Sequence, residues 1–152
     1  MKRVYGLAAI VAVAIGSSAA LALDAPAAIK ERQDFYKDLG KSMKGLVEEL
    51  KSSSPNAAEL KKFGANIDTA APKIPTLFPA GTGPEAGVKT GAKAEIWQKP
   101  DEFKKDASDM AAAAHALNVA AQSGDVAAVK DAVGKLGETC KACHQTFREK
   151  EH

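Results

Sequence analysis

The sequence predicts an all-α fold, an antiparallel four-helix bundle with one long crossover loop between helices 2 and 3. Apolar residues recur at alternating spacings of three and four in four separate stretches, which is the periodicity of amphipathic helices. The chain is also rich in alanine and poor in aromatic residues, a composition that favours helix over sheet. Its length suits one domain with a single core.

The N-terminus has the pattern of a targeting segment. Two basic residues precede an apolar run over residues 7–15, and Ala20-Leu21-Ala22 supplies a small-residue cleavage site. The run is shorter than the roughly 20 residues that span a membrane. We therefore predict that residues 1–22 are a cleaved signal peptide and that residues 23–152 form the mature bundle. The alternative is an uncleaved N-terminal anchor.

Charge excludes some classes of partner. Without Lys2 and Arg3, acidic and basic side chains are equal in number. A nucleic-acid or anionic-lipid binder would need a basic excess. We predict no nucleic-acid partner and no membrane insertion after cleavage.

The first two helices follow from their stripes and end signals. The first is predicted from about Pro26 to Lys51, with Asp24 near its start, and the second from Ser54-Pro55 to the residue before Pro72. The inward residues are Ile29, Arg32, Tyr36, Leu39, Met43, Leu46 and Leu50 in the first helix, and Leu60, Phe63, Ile67 and Ala71 in the second.

The periodicity stops from Pro72 to about Lys99. Four prolines and four glycines interrupt this stretch, so we predict an irregular crossover that wraps one end of the bundle. Its packing residues are predicted to be Ile74, Leu77, Phe78, Ile96 and Trp97.

The last two helices flank a short break at Ser123-Gly124-Asp125, with Asp125 as the predicted cap of the fourth. The third is predicted from about Pro100 to Gln122. The inward residues are Phe103, Ala107, Met110, Ala114, Leu117 and Ala121 in the third helix, and Val126, Val129, Val133, Leu136, Cys140, Cys143 and Phe147 in the fourth.

The fourth stripe contains the pentapeptide Cys140-Lys141-Ala142-Cys143-His144, and Cys-x-x-Cys-His is the attachment signature of c-type haem. Two thiols can add to the haem vinyl groups, and the imidazole can ligate the iron. Residues three and four apart are neighbours on a helix, so all three side chains can reach one group. We predict one covalent haem c, held through Cys140 and Cys143, with His144 as the metal ligand.

Three other roles compete for the two cysteines. A thioredoxin-like redox pair would need a βαβ setting, which the sequence lacks. A structural zinc site needs four ligands, and only His115 and His152 lie outside the pentapeptide. A structural disulfide is the remaining alternative.

Other residues are candidates for the surroundings of the haem. Arg148 lies one turn beyond His144 and could tune the imidazole, or could simply be solvated. Arg32 lies on an apolar stripe, where an unpaired charge is costly, so we expect an anionic partner such as a haem propionate. The candidates for the sixth iron position are Tyr36, Met43, Met110 and His115.

Four segments together resemble class II cytochromes c, the cytochrome c-prime family. They are Arg32-Gln33-Asp34-Phe35-Tyr36-Lys37, Leu77-Phe78-Pro79, the stretch from Thr90 to Trp97, and the stretch from Cys140 to Arg148. The resemblance covers essentially the whole mature chain. It implies a four-helix bundle with one covalent haem, commonly a homodimer packed through its first helices. Arg32, Gln33 and Thr90 become candidates for propionate contacts.

The resemblance also bears on function, because the family divides by what lies over the iron. Tyr36 occupies the position where low-spin members have methionine, so the chain is similar to the five-coordinate, high-spin kind. That implies binding of nitric oxide and carbon monoxide, and electron exchange with a redox partner that the sequence does not identify, in the periplasm. No general acid–base pair is evident, so we do not expect an enzyme. The alternative is a six-coordinate, low-spin electron carrier, with Met43 on the iron.

Overall fold

The computed structural model describes residues 24–150, so the targeting segment predicted over residues 1–22 lies outside the described residues. Four long helices form an antiparallel bundle, which confirms the predicted fold class. The helices are α1 (Ala25–Lys51), α2 (Ala57–Ala70), the one-turn α3 (Glu95–Gln98), α4 (Pro100–Ser123) and α5 (Val126–Phe147). Helix α4 packs along α2 and α5, and α1 packs along α2. Helices α1 and α5 touch much less, and we call the space between them the α1–α5 seam.

Side-chain caps set three of the helix starts. Asp24 accepts a hydrogen bond from the backbone of Ala27, and Asp125 accepts bonds from Ala127 and Ala128, as expected for N-caps. The predicted start of the second helix at Ser54-Pro55 is wrong. Asn56 caps α2 instead, because its side chain accepts from the backbone N–H groups of residues 58 and 59.

The crossover is more regular than predicted. A 3₁₀ helix over Ala71–Leu77 continues from the end of α2, and a second 3₁₀ turn covers Pro84–Ala86. The prolines in these segments cannot donate to a helical ladder, but their fixed φ is compatible with 3₁₀ geometry. The prolines after α2 therefore end its α-helical geometry, but the chain continues in 3₁₀ turns.

The core confirms most of the predicted stripes. All six inward positions predicted for the third helix are buried in α4. The half-buried members of the other stripes concentrate on α1 and α5, and include Tyr36, Met43, Val126, Val133, Cys140 and Cys143. The bundle is thus least tightly closed along the α1–α5 seam. Within residues 24–150, no helix has both the length and the apolar character needed to cross a membrane.

Candidate haem site

The attachment motif occupies the last two turns of α5. Cys140 and Cys143 are half-buried and are not joined to each other, and His144 lies on a more exposed flank of the helix. Burial raises the pKa of the Cys140 thiol. Burial, with help from the Asp106 carboxylate and the Cys140 thiol, raises the pKa of Cys143 to about 11. Both cysteines are therefore protonated thiols at neutral pH, before any group is attached.

His144 is electrostatically suited to act as a neutral ligand. Partial burial lowers the pKa of its imidazole, and the Arg148 guanidinium one turn away lowers it further. Neutral imidazole is the form that binds a metal. The predicted influence of Arg148 on His144 is thus consistent with the electrostatics.

Tyr36 lies across the α1–α5 seam from the motif. Burial is the main cause that raises the pKa of its phenol well above the ordinary value, and the Cys143 thiol adds to the effect. The Cys140 thiol also raises this pKa, while Arg32 and Arg148 lower it. The phenol is therefore electrostatically coupled to both cysteines, and the Tyr36 hydroxyl stays protonated at neutral pH.

Arg32 is buried, with only 3% of its surface exposed, and neutral oxygens satisfy its guanidinium. Its Nη1 donates to the carbonyl of Leu77 at 3.4 Å and to Thr82 Oγ1 at 3.1 Å. Its Nη2 donates to the Thr82 carbonyl and to Thr90 Oγ1, both at 2.9 Å. Its Cζ lies 4.6 Å from the centre of the Phe78 ring. Neutral oxygens thus satisfy the Arg32 guanidinium among the described residues, and the expected contact with a haem propionate stays a prediction.

Gln33 and Thr90 lie next to Arg32. Gln33 Nε2 donates to the carbonyl of Lys89 at 3.0 Å, from an exposed position on α1. Thr90 Oγ1 accepts both from Arg32 and from the backbone N–H of Ala92, the latter at 3.2 Å. All three residues predicted as propionate contacts therefore meet where α1 supports the end of the crossover.

The end of the crossover is paired with the segment that follows α5. The Lys93 N–H donates to the carbonyl of Phe147 at 3.0 Å, and the Glu149 N–H donates to the carbonyl of Gly91 at 2.9 Å. Thr90 also binds Arg32. A continuous series of hydrogen bonds therefore connects α1, the crossover and the end of α5. Nothing in the sequence pattern indicated this pairing.

An aromatic cluster closes the same end of the bundle. The Phe78 ring lies 4.9 Å from Phe103 and 6.3 Å from Tyr36, and Phe103 lies 5.3 Å from Phe147 (ring centres). Trp97 Nε1 donates to the carbonyl of Phe78 at 3.2 Å. The sequence marked Phe78 as a packing residue and as part of a family-like segment, and it did not single out Thr82. Both residues lie in the crossover, and this position, rather than the residue type, is the feature that could have identified them.

The other candidates for the sixth iron position lie elsewhere. Met110 is buried inside α4, and Met43 lies on α1 about two turns beyond Tyr36. His115 is 69% exposed, and its Nδ1 lies 3.3 Å from the Asp68 carboxylate of α2. Electrostatic coupling to both cysteines indicates that Tyr36 is near the motif. His152, the other imidazole outside the pentapeptide, lies beyond the described residues.

These residues fit a covalently attached haem. Two thiols one turn apart open onto a seam whose other side carries a phenol, and aromatic rings close its end. The fit concerns the donor set: thiols for attachment, a neutral imidazole for iron, and an apolar wall.

Comparison with known proteins agrees with this chemistry. The family model described as cytochrome C' matches residues 27–148. Cytochrome c' of Pararhodospirillum photometricum is 44% identical over 122 residues, covering 80% of this chain and 95% of the relative. A solved cytochrome c' with ligand-controlled dimer dissociation has a TM-score of 0.79 and 32% identity, covering 84% of this chain and 98% of the other.

A nitric oxide complex of a cytochrome c prime variant from Alcaligenes xylosoxidans is also similar. It has a TM-score of 0.75 and 26% identity, and the match covers 84% of this chain and 97% of that one. The chain belongs to the cytochrome c' family, whose members are electron-carrying haem c proteins.

Proposed function

We propose that this chain is a periplasmic cytochrome with one haem c, held by Cys140 and Cys143 and ligated by His144. Its iron is five-coordinate and high-spin, binds nitric oxide and carbon monoxide, and exchanges electrons. When bound, the haem supplies the iron chemistry. The residues of the chain attach it, set one axial ligand and restrict access to the other face.

The observation that carries the proposal is the position and charge state of Tyr36. Its phenol is electrostatically coupled to the two cysteines and is held in the neutral form by burial. A neutral phenol is a poor iron ligand compared with a thioether or imidazole, so Tyr36 crowds the distal face without closing it. A small diatomic molecule can then compete for that position, while larger ligands meet the ring. The nitric oxide complex of the similar Alcaligenes protein supports this choice of ligand class.

The other pocket residues have positioning roles in this proposal. Arg32 and Thr90 hold the crossover against α1, where propionates of the haem would lie, and Gln33 supports the same segment through Lys89. Partial burial, and after it the charge of Arg148, lower the pKa of His144 and so favour its neutral form. None of these residues forms a general acid–base pair with a substrate cleft, so we propose a carrier and gas binder rather than an enzyme.

Replacing Tyr36 with methionine tests the distal assignment. Tyr36→Met puts a thioether where the phenol lies, so we expect low-spin visible bands in the reduced protein and carbon monoxide binding weakened by about tenfold or more. The matched control is Tyr36→Phe, which removes the hydroxyl without supplying a ligand and should keep the parent spectrum. A parental spectrum in the methionine variant would mean that residue 36 does not face the iron.

The same spectra separate the proposal from the low-spin alternative. A six-coordinate iron ligated by Met43 would give the reduced parent protein sharp, intense bands that carbon monoxide does not change. Met43→Leu would then convert it to high spin. We expect neither result, because Met43 is a half-buried packing residue two turns from the position opposite the motif.

Export is proposed from residues 1–22 and tested by mass. Protein purified from the periplasm of a host that matures c-type cytochromes should consist of residues 23–152 plus the mass of one haem. A chain that keeps residues 1–22 would argue for an anchor, and a chain without the extra mass would refute covalent haem.

A homodimer is proposed from the family, with α1 at the interface. The outward face of α1 carries ion pairs within the helix, such as Lys41–Asp38, rather than an apolar patch. These pairs do not cross an interface, and the face offers little apolar area to bury. We therefore propose a weak dimer.

A further inference from the structure

The flank of α5 that faces away from α4 carries only positive charge. The opposite flank, which lines the α4–α5 groove, includes Lys135, Glu138 and Thr139. At 100° per residue, Lys130, Lys141 and Arg148 share the other flank, which turns towards α1. The two glycines at positions 134 and 137 lie between them, and a Cβ added at either would meet no atom within 4 Å. No carboxylate occupies this flank in the described part of α5.

Helix α1 presents a matching row of cations. Four of its five lysines recur every seven residues, so these four form an almost straight line along one flank. Gly45 contacts Phe63 of α2 from the other side of α1, so the lysine row turns away from α2 and towards the seam. Two carboxylates, Asp34 and Glu48, lie at the edge of the row, and each pairs with one of its lysines. The row consists of Lys30, Lys37, Lys44 and Lys51, all exposed.

Acidic side chains of the α4–α5 groove lie away from the seam, whereas Glu149, just beyond α5, lines a pocket with His144 and Arg148. Asp106, Asp109 and Glu138 line a groove of about 380 Å³ between α4 and α5, on the far side of α5. A chain with nearly balanced charge is therefore polarised, with cations on both sides of the α1–α5 seam. Tyr36 and the attachment motif lie in that same seam. The positive surface thus borders the seam in which the proposed haem would lie.

We propose that the α1–α5 seam is the docking surface for an acidic electron-transfer protein. This inference rests on the proposed haem at Cys140 and Cys143. Cations flanking the seam would steer a carboxylate-rich partner over it. The two glycines of α5 leave no side chain in the way of close approach. One electron then passes between the haem iron and the partner's redox centre, so that one is oxidised as the other is reduced, with no bond made or broken.

Other occupants fit the surface less well. A second copy of this chain seated on the seam would bring the same positive flanks together, where like charges repel, so the dimer proposed above would use a face of α1 away from the seam. An anionic membrane would contact two separate rows of lysine but would find no apolar side chain there to insert into it. Within residues 24–150, the one large hydrophobic side chain that is prominently exposed is Val119, which lies on α4.

Zero-length cross-linking tests the surface without depending on haem spin state or gas binding. The holoprotein is mixed with a net-acidic flavodoxin at low salt, and a water-soluble carbodiimide joins lysines to the flavodoxin's carboxylates. We expect the cross-links, located by mass spectrometry, on Lys37, Lys44, Lys130 and Lys141, with at least a tenfold loss between about 10 and 300 mM salt. Links concentrated on Lys61, Lys62, Lys104 and Lys105 would overturn the proposal.

Charge reversal gives a second readout. Lys37→Glu with Lys130→Glu should weaken flavodoxin binding by about tenfold or more, while the control Lys73→Glu with Lys104→Glu changes it less than about twofold. Unchanged visible spectra and melting temperatures show that both variants are intact. Equal flavodoxin affinities of the two charge-reversal variants would overturn the proposal. Cosedimentation of the protein with phosphatidylglycerol vesicles, together with cross-links scattered over its surface, would also overturn it.

If the protein lacked haem but still gave the predicted cross-links, only the proposed function would be refuted.

Discussion

At the scale of single residues, Arg32 shows what the sequence could and could not predict. Its place on an apolar stripe correctly indicated a buried cation. Its partners could not be predicted, because Leu77, Thr82 and Thr90 are 45 to 58 positions away in the crossover. The cost of desolvating the Arg32 guanidinium led us to expect an anionic partner. Several neutral oxygens and an aromatic face can compensate for that cost as well.

The contribution of Arg32 to stability can be measured directly. Arg32→Met removes four hydrogen bonds from a charged donor and should lower the free energy of unfolding by about 2–4 kcal/mol. Urea unfolding followed by far-UV circular dichroism measures this. The control is Lys41→Met on the same helix, whose exposed ion pair should change the value by less than about 0.5 kcal/mol. Equal unfolding midpoints for the two variants would contradict the structural role.

At the scale of elements, local signals predicted the helices well and the crossover poorly. Asp24 and Asp125 were identifiable because a cap, a short-range contact, is visible in a few residues. Ser54 and Asn56 are both good caps two positions apart. Asn56 is the cap that forms because Glu49, at the end of α1, holds it in place. The Glu49 carboxylate accepts a hydrogen bond of 2.6 Å from the Asn56 backbone N–H. The pairing of residues 91–93 with 147–149 is longer in range still, so no local pattern indicated it.

Two glycines in helix interiors should respond oppositely to alanine. Gly134 of α5 has open space where a Cβ would be, so Gly134→Ala should stabilise the protein by roughly 0.5–1 kcal/mol through helix propensity. At Gly45 of α1, a Cβ would lie 2.5 Å from Phe63 Cζ. Gly45→Ala should therefore lose that gain and lower the melting temperature, because the ring must leave its place between α1 and α2. Equal stabilisation by both substitutions would mean that Phe63 moves at no cost.

At the scale of the whole molecule, the sequence predicted four equivalent stripes, but the bundle is not equally closed on all sides. Periodicity reports which residues turn inward and says nothing about which pairs of helices approach closely. Helix α4 is buried along its whole stripe, whereas the α1 and α5 stripes remain half-buried where Tyr36, Met43 and Cys140 lie. The open seam coincides with the attachment motif, so we infer that the haem supplies core volume that the side chains lack.

Preventing haem attachment should therefore loosen the whole bundle. Cys140→Ser with Cys143→Ser removes both attachment points, and we expect a loss of about 3–5 kcal/mol in unfolding free energy, comparable to removing a large aromatic side chain from a core. Near-UV circular dichroism from Tyr36 and Trp97 should weaken while helix content is largely retained. The control Ala142→Ser leaves both thiols in place and should behave as the parent. A haem-free variant that melted as sharply and at the same temperature as the parent would show that side chains alone close the seam.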